Sequence, residues 1–138
     1  MSRVLVTQAI DPAGLAILEQ AGVEVELREG LAPIERSELL ARLAGCRGLL
    51  AMPTDRIDEA VLSAAPLAIV ANHAVGYDNV DLAAARRRGV VVTNTPGVLT
   101  EATAELTFAL MLAAARHLVA ADRFLRQGHF VGWRPPLF

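Results

Sequence analysis

The 138-residue chain contains no lysine; all thirteen of its basic residues are arginines. That absence removes Schiff-base chemistry, which needs a lysine amine, and the phosphate-loop NTPases, which need a lysine on the nucleotide phosphates. Cysteine is almost missing as well. The lone Cys46 has no partner for an internal disulfide and no Cys or His at metal-ligand spacing, so it is expected to be a small half-buried residue in a reducing cytoplasm. There is no basic surplus to attract nucleic acid, since the net charge is -2. The N-terminus passes from Met1 into Val4-Leu5-Val6 without the apolar stretch and small-residue cleavage site of an export signal. No apolar run is long enough for a membrane: Ala102 to Ala115 carries Glu105, ends at Arg116, and falls short of the ~20 residues a span needs. Internal repeats and low-complexity segments are also absent. The expectation is a cytoplasmic protein with neither a nucleic-acid nor a membrane partner.

What is present is a repeating order of short apolar runs and helical patterns. With 54% apolar residues, the chain can bury a core, and its length suits one domain or one domain plus part of another. Val4-Leu5-Val6 reads as a buried strand. Asp11-Pro12 then supplies an N-cap and a first-turn proline for a helix reaching Gln20, stopped by Gly22. Val23 to Leu27 alternates apolar residues with glutamate, as an edge strand does, and Ile34 to Ala44 has helical spacing. Gly48 to Met52 is a third strand stopped by Pro53, with a short helix from Asp58 to Ala64 behind it. Leu67 to Ala71 is the fourth strand, Val80 to Arg88 a helix closed by Gly89, and Val90 to Thr93 the fifth strand.

Uninterrupted Val, Leu and Ile strands, each followed by a helix, predict an α/β fold: a doubly wound parallel five-stranded sheet with both faces covered. In such sheets ligands bind beyond the carboxyl ends of the strands. Two turns lie there: Met52-Pro53-Thr54 after the third strand, and Asn72 to Asp81, "NHAVGYDNVD", after the fourth. In the second, Gly76 allows close approach of a ligand, and the N–H groups around Val75 and Gly76 are placed to receive a small carboxylate. On spacing alone a plainer role is favoured, a turn that starts a helix with Asn79 or Asp78 as cap and Asp81 in the first turn. His73 either supports that turn or is a hydrogen-bonded strand-end residue; His117 closes a helix, and His129 is expected to be exposed.

After Pro96-Gly97 the pattern changes. Thr100 is the expected cap of a long helix running to about His117, with Glu101 in its first turn. Leu106, Phe108, Leu110, Met111 and Leu112 make it apolar on most sides, so cover from a second domain or subunit is expected. The ending, Trp133 to Phe138, has no glycine cap or polar tail, and the polypeptide is expected to continue.

The stretch from Val75 to Leu118, with Gly76-Tyr77-Asp78-Asn79-Val80-Asp81, Asn94-Thr95-Pro96-Gly97, Thr103-Ala104-Glu105-Leu106 and the ending Gly132-Trp133-Arg134-Pro135, closely resembles the N-terminal part of D-isomer-specific 2-hydroxyacid dehydrogenases, particularly the glyoxylate and hydroxypyruvate reductase branch. The resemblance covers essentially the whole chain, and related phosphite dehydrogenases share much of the pattern. It implies a flavodoxin-like substrate domain over residues 1–99, then an interdomain helix and dimerisation arm over 100–138, leading to a Rossmann domain that binds NAD or NADP. It implies a homodimer formed through 100–138, and a small 2-oxo or 2-hydroxy acid as substrate. By position, Val75 and Gly76 match the backbone amides that hold the substrate carboxylate. Met52 matches a substrate-side residue, Thr103 a threonine near the cofactor, and Trp133 a tryptophan near the substrate pocket. From the residues themselves, Met52 serves equally as core filler, Thr103 as a first-turn hydroxyl and Trp133 as an interface anchor.

Two elements of that family have no counterpart here. No two of the ten glycines form part of a Gly-x-Gly-x-x-Gly loop, and the family's catalytic arginine, glutamate and histidine lie downstream of that loop. The chain alone is therefore expected to show no turnover. A non-catalytic dimerisation or small-acid-binding module is the alternative. A receiver domain would want an acidic pair after strand one, an aspartate ending strand three and a lysine after strand five. Here Thr7-Gln8-Ala9 and Met52 stand at the first two places. A flavin phosphate site would want a Gly-rich Ser/Thr loop where Ile10-Asp11-Pro12 stands.

Overall fold

The computed structural model describes residues 2–133, which divide into two compact units, one reaching Gly97 and the other beginning at Val98. The first unit alternates strands and helices: β1 (Arg3–Val6), α1 (Pro12–Gln20), β2 (Glu24–Leu27), α2 (Arg36–Arg42), β3 (Gly48–Ala51), α3 (Glu59–Ser63), β4 (Ile69–Asn72), α4 (Leu82–Arg88) and β5 (Val91–Thr93). The second holds α5 (Thr100–Ala115) and α6 (Leu118–Arg126).

The strands form one five-stranded sheet in the order β2-β1-β3-β4-β5, all parallel, which is the flavodoxin-like doubly wound arrangement. Chain order dictates where the helices go. The step from β1 to β2 runs one way across the sheet and all later steps run the other way. Right-handed crossovers therefore place α1 on one face and α2, α3 and α4 on the opposite face. The core lies under those three helices: Leu5, Leu49 and Val70 from the sheet meet Leu39 and Leu43 of α2, Val61 and Leu62 of α3, and Ala84 and Ala85 of α4. Cys46, expected to be half-buried, is wholly enclosed there, with its thiol donating to the Arg42 carbonyl at 3.5 Å.

The face carrying α1 departs from the expectation of full cover. One helix cannot span five strands, and Ile69 and Val91 on β4 and β5 are 39% and 57% exposed. The uninterrupted apolar strands of β4 and β5 thus leave apolar side chains open on that face of the first unit.

Most element ends follow the local signals. Asp11 caps α1 by accepting from the Ala13 N–H at 2.8 Å, Pro12 opens the helix, and Gly89 closes α4 in the left-handed conformation at φ 68°. The α2 helix is shorter than its pattern, beginning after Glu35. Thr100 is not the cap of α5: Leu99 holds that position with no side-chain bond, and Thr100 is the first helical residue. The long helix stops where His117 turns left-handed (φ 51°), and α6, which the sequence pattern did not reveal, continues at a bend of 60°. Among the described residues no single helix is long and apolar enough to cross a membrane. The side chains of Leu106, Phe108, Leu110, Met111 and Leu112 are all exposed, as the all-round apolar pattern of α5 requires if its cover comes from elsewhere.

On the surface of the first unit, arginines and glutamates form a connected line. Arg3 bonds Glu26, Arg42 reaches both Glu26 (3.2 Å) and Glu38 (2.8 Å), and Arg28 bonds Glu38 (3.2 Å).

Candidate functional site

The carboxyl ends of β3, β4 and β5 are joined by a network of polar groups. At its base, Asp55 is 4% exposed and Thr7, just past β1, is 1% exposed. The Thr7 hydroxyl donates to Asp55 Oδ2 at 2.5 Å, and the Met52 N–H donates to the same oxygen at 2.8 Å. This fills the crevice between β1 and β3, where a doubly wound sheet of this order ordinarily takes a ligand. The next strand exit along is that of β4.

There the chain makes the turn from Asn72 to Asp81, and asparagines hold it. Asn72, the last residue of β4, is 2% exposed and donates from Nδ2 to the Gly76 carbonyl at 2.8 Å. Asn79 donates from Nδ2 to the carbonyls of Met52 (3.2 Å) and Asp55 (3.0 Å), tying the turn to the loop after β3. Backbone bonds reinforce the tie, from Ile57 N–H to Asn79 O and from Asp81 N–H to Ile57 O. From the other side, Asn94 Nδ2 donates to the Val75 carbonyl at 2.8 Å and the Thr95 N–H to the Ala74 carbonyl at 2.9 Å.

Three consecutive carbonyls are thus occupied, while the N–H groups of Val75 and Gly76 donate to no acceptor among the described residues. Both residues are exposed, Val75 at 43%. The helix that follows does not need those amides, because Asp81 caps α4 by accepting from the Ala84 N–H at 2.9 Å. The sequence had offered Asn79 or Asp78 for that role; Asn79 is spent on the network instead. Gly76 does not rely on a left-handed backbone, and a Cβ there would lie 3.1 Å from Asp78 Oδ1. A carboxylate therefore flanks the turn.

The other sequence-derived residues fall in three places. Met52 lies under the turn, 7% exposed, with its backbone N–H and carbonyl both used by the network. His73 continues the sheet ladder, its N–H donating to the Ala51 carbonyl at 2.8 Å, and its side chain is exposed. Thr103 and Trp133 belong to the second unit. Thr103 sits in the first turn of α5 with its carbonyl accepting from the Thr107 hydroxyl at 2.7 Å, and Trp133 is 82% exposed. Arg134 and Pro135 of the ending motif lie outside the described residues. Sequence reasoning missed Thr7, Asp55, Asn72 and Asn94 as builders of the site.

The helix starts of the first unit are unsuited to a dinucleotide. Helices α1, α3 and α4 each begin with an aspartate side chain on a first-turn amide, Asp11, Asp58 and Asp81, which uses the donors a pyrophosphate needs and adds negative charge. The recess of about 480 Å³ beside the turn is lined by Asp58, Asp78 and Asp81 together with Arg56, and the recess of 130 Å³ between the exits of β3, β4 and β5 is far below nucleotide size. Among the described residues no cluster of His, Cys, Asp or Glu is placed to hold a metal ion.

Asp58 is held below the ordinary aspartate range by its hydrogen bond from Arg36, against the opposing effect of burial. Glu59, bonded by Arg88 and Arg87, is likewise held below the usual glutamate value.

Comparison with known proteins identifies the family. Residues 4–125 match the model of the D-isomer specific 2-hydroxyacid dehydrogenase catalytic domain. A glyoxylate reductase of Korarchaeum cryptofilum is 48% identical over 135 residues, covering 96% of this chain and 40% of the relative, and one of Pyrococcus furiosus is 47% identical over 141 residues, covering 99% and 42%. A crystal structure of a Thermus thermophilus protein superposes with a TM-score of 0.91 at 48% identity, covering 98% of this chain and 43% of that one. The chain thus spans about two fifths of the length of these relatives. With the catalytic-domain model matched almost throughout and the flavodoxin-like sheet in place, this chain belongs to the D-isomer specific 2-hydroxyacid dehydrogenase family.

Proposed function

We propose that this chain is the substrate-holding part of an NAD(P)-dependent oxidoreductase that interconverts a small 2-oxo acid, of the glyoxylate or hydroxypyruvate type, with its D-2-hydroxy acid. The observation that carries the reading is that the carbonyls of Ala74, Val75 and Gly76 are all held while the exposed N–H groups of Val75 and Gly76 donate to no acceptor among the described residues. Backbone amides of this kind bind a carboxylate without a charged side chain. The glyoxylate reductases among the relatives support the substrate class. So does a Sinorhizobium meliloti glyoxylate/hydroxypyruvate reductase, 36% identical with a TM-score of 0.71, described as NADPH-dependent and in complex with NADP and malonate.

Reduction of a 2-oxo acid needs a hydride donor, a cation to polarise the oxygen and an acid to deliver the proton. In this reading the chain's contribution is orientation: Val75 and Gly76 fix the carboxylate, and Met52 supports the turn from below. Trp133 near the substrate and Thr103 near the cofactor are assigned by resemblance. Hydride delivery falls to a nucleotide-binding domain, because the aspartate-capped helices here do not fit NAD or NADP. Titration of the isotope-labelled chain with glyoxylate tests the reading. Saturable shifts of the Val75 and Gly76 amide resonances are expected, with no turnover by these residues alone; an unresponsive pair of amides overturns it.

A second reading, a dimerisation piece, is favoured by the exposed apolar side chains of α5 and by the recess of about 470 Å³ lined by Leu110, Ala114, His117 and Leu118. It predicts a concentration-dependent dimer in sedimentation, abolished by Leu112→Glu. A strictly monomeric chain counts against it.

A further inference from the structure

The motif Asn94-Thr95-Pro96-Gly97 has no part in the function proposed above, yet two of its residues grip the turn. Each peptide unit of that turn is trans, so its carbonyl and the following N–H point in opposite directions. Holding the carbonyl therefore aims the amide. The Thr95 N–H holds the Ala74 carbonyl and so directs the Val75 N–H away from the exit of β5. Asn94 Nδ2 holds the Val75 carbonyl and directs the Gly76 N–H the same way. Asn72 Nδ2 holds the Gly76 carbonyl and directs the Tyr77 N–H, which also donates to nothing among the described residues.

We propose that Asn94 and Asn72 are positioning residues for the carboxylate site, each aiming one amide of a row formed by Val75, Gly76 and Tyr77. The proposal rests on the reading of the turn as that site. Asn94 acts from β5 and Asn72 from β4, so the row has its shape only while the two strand exits stay in register. In the sheet that register is Ala71 opposite Thr93, one residue before Asn72 and Asn94. Both side chains are amides rather than lysine or arginine. They can therefore hold a carbonyl without placing a cation beneath the bound acid, and the amide row itself supplies the attraction. A peptide free to rotate would have to be ordered when the ligand arrives; one already pinned avoids that cost.

The test uses the 15N-labelled chain, titrated with glyoxylate and, as an uncharged control, with glyoxylamide. In the unaltered chain the amides of Val75, Gly76 and Tyr77 are expected to respond to glyoxylate and not to the amide. Asn94→Ala should raise the glyoxylate Kd about tenfold and abolish the response at Gly76 while leaving that at Val75, with Tm nearly unchanged because Asn94 is only half-buried. Asn72→Ser should remove the Tyr77 response first. A purely structural role would instead lower Tm and weaken all three responses together, and that outcome overturns the proposal. So does an Asn94→Ala variant that binds as tightly as the unaltered chain, which leaves the carboxylate reading intact. No response in the unaltered chain overturns both.

Discussion

Asn72 and Asn79 exchange side-chain hydrogen bonds, Asn72 Nδ2 donating to Asn79 Oδ1 at 3.1 Å and Asn79 Nδ2 to Asn72 Oδ1 at 3.0 Å. A reciprocal amide pair satisfies a donor and an acceptor on each partner, and here the spare capacity of each goes to backbone carbonyls, of which that of Met52 also accepts from the Asp55 N–H. Asn79→Ala should therefore cost more than a single hydrogen bond, because Asn72 and the carbonyls of Met52 and Asp55 all lose a partner. A loss of roughly 2–3 kcal/mol in urea unfolding is expected, and an unchanged midpoint would show that the pair is dispensable.

Thr7→Val keeps the volume but removes the hydroxyl that donates to Asp55 Oδ2. The buried carboxylate then keeps only the Met52 N–H on that oxygen. A destabilisation of about 1–3 kcal/mol is expected, whereas Thr7→Ser should recover most of it.

Asp78 places a carboxylate oxygen beside Gly76. Two like charges about 4 Å apart in water repel by roughly 1 kcal/mol, so Asp78→Asn should tighten glyoxylate binding by up to about fivefold. Calorimetric titration reads this directly, and weaker binding by the variant would mean that Asp78 helps to build the turn instead.

Acid should weaken the fold through its arginine-paired carboxylates. Burial alone would raise Glu38, but hydrogen bonds from Arg42 and Arg28 outweigh it and hold the group below its ordinary value of 4.5. Arg42, bonded by Glu38 and Glu26, is correspondingly raised. A carboxyl lowered by folding contributes stability that is fully present above the ordinary value and disappears as pH falls through the folded one. Little change in the urea midpoint is thus expected from pH 7 to 5, followed by a decline below about 4.5, and Glu38→Gln should flatten that decline. High salt should flatten it as well, since these groups lie near the surface.

The strands and most helix ends were legible because their causes are local. Asp11-Pro12 and Gly89 act within one turn of chain, and a run such as Gly48 to Ala51 needs no distant partner to identify it. The amide network was not legible: Asn79 bonds a carbonyl 27 residues away at Met52, and nothing in the spacing tells an inward asparagine from a helix cap. Asn79 and Asp81 are both good cap residues, and only the tertiary pairing with Asn72 decides which one caps α4. The break at His117 was hidden for a similar reason, since a non-glycine residue in the left-handed region leaves no mark in an apolar pattern. Val75 and Gly76 were singled out by the turn's position at the end of β4. The residues that hold them were not, because their part is played through backbone carbonyls, which sequence does not display.

The aspartates at the starts of α1, α3 and α4 have a consequence for how an acid reaches the turn. Asp58 is paired with Arg36 and Arg56, so among the described residues the rim's unpaired charge beside the turn is that of Asp78 and Asp81, which an arriving anion meets along with the neutral amides. Ordinary anion sites lose ligand as dissolved ions accumulate, because their attraction is screened. Here screening would act first on the rim's repulsion, so capture of a small acid should quicken as ionic strength rises from low values, and bulky polyphosphates should feel the barrier most.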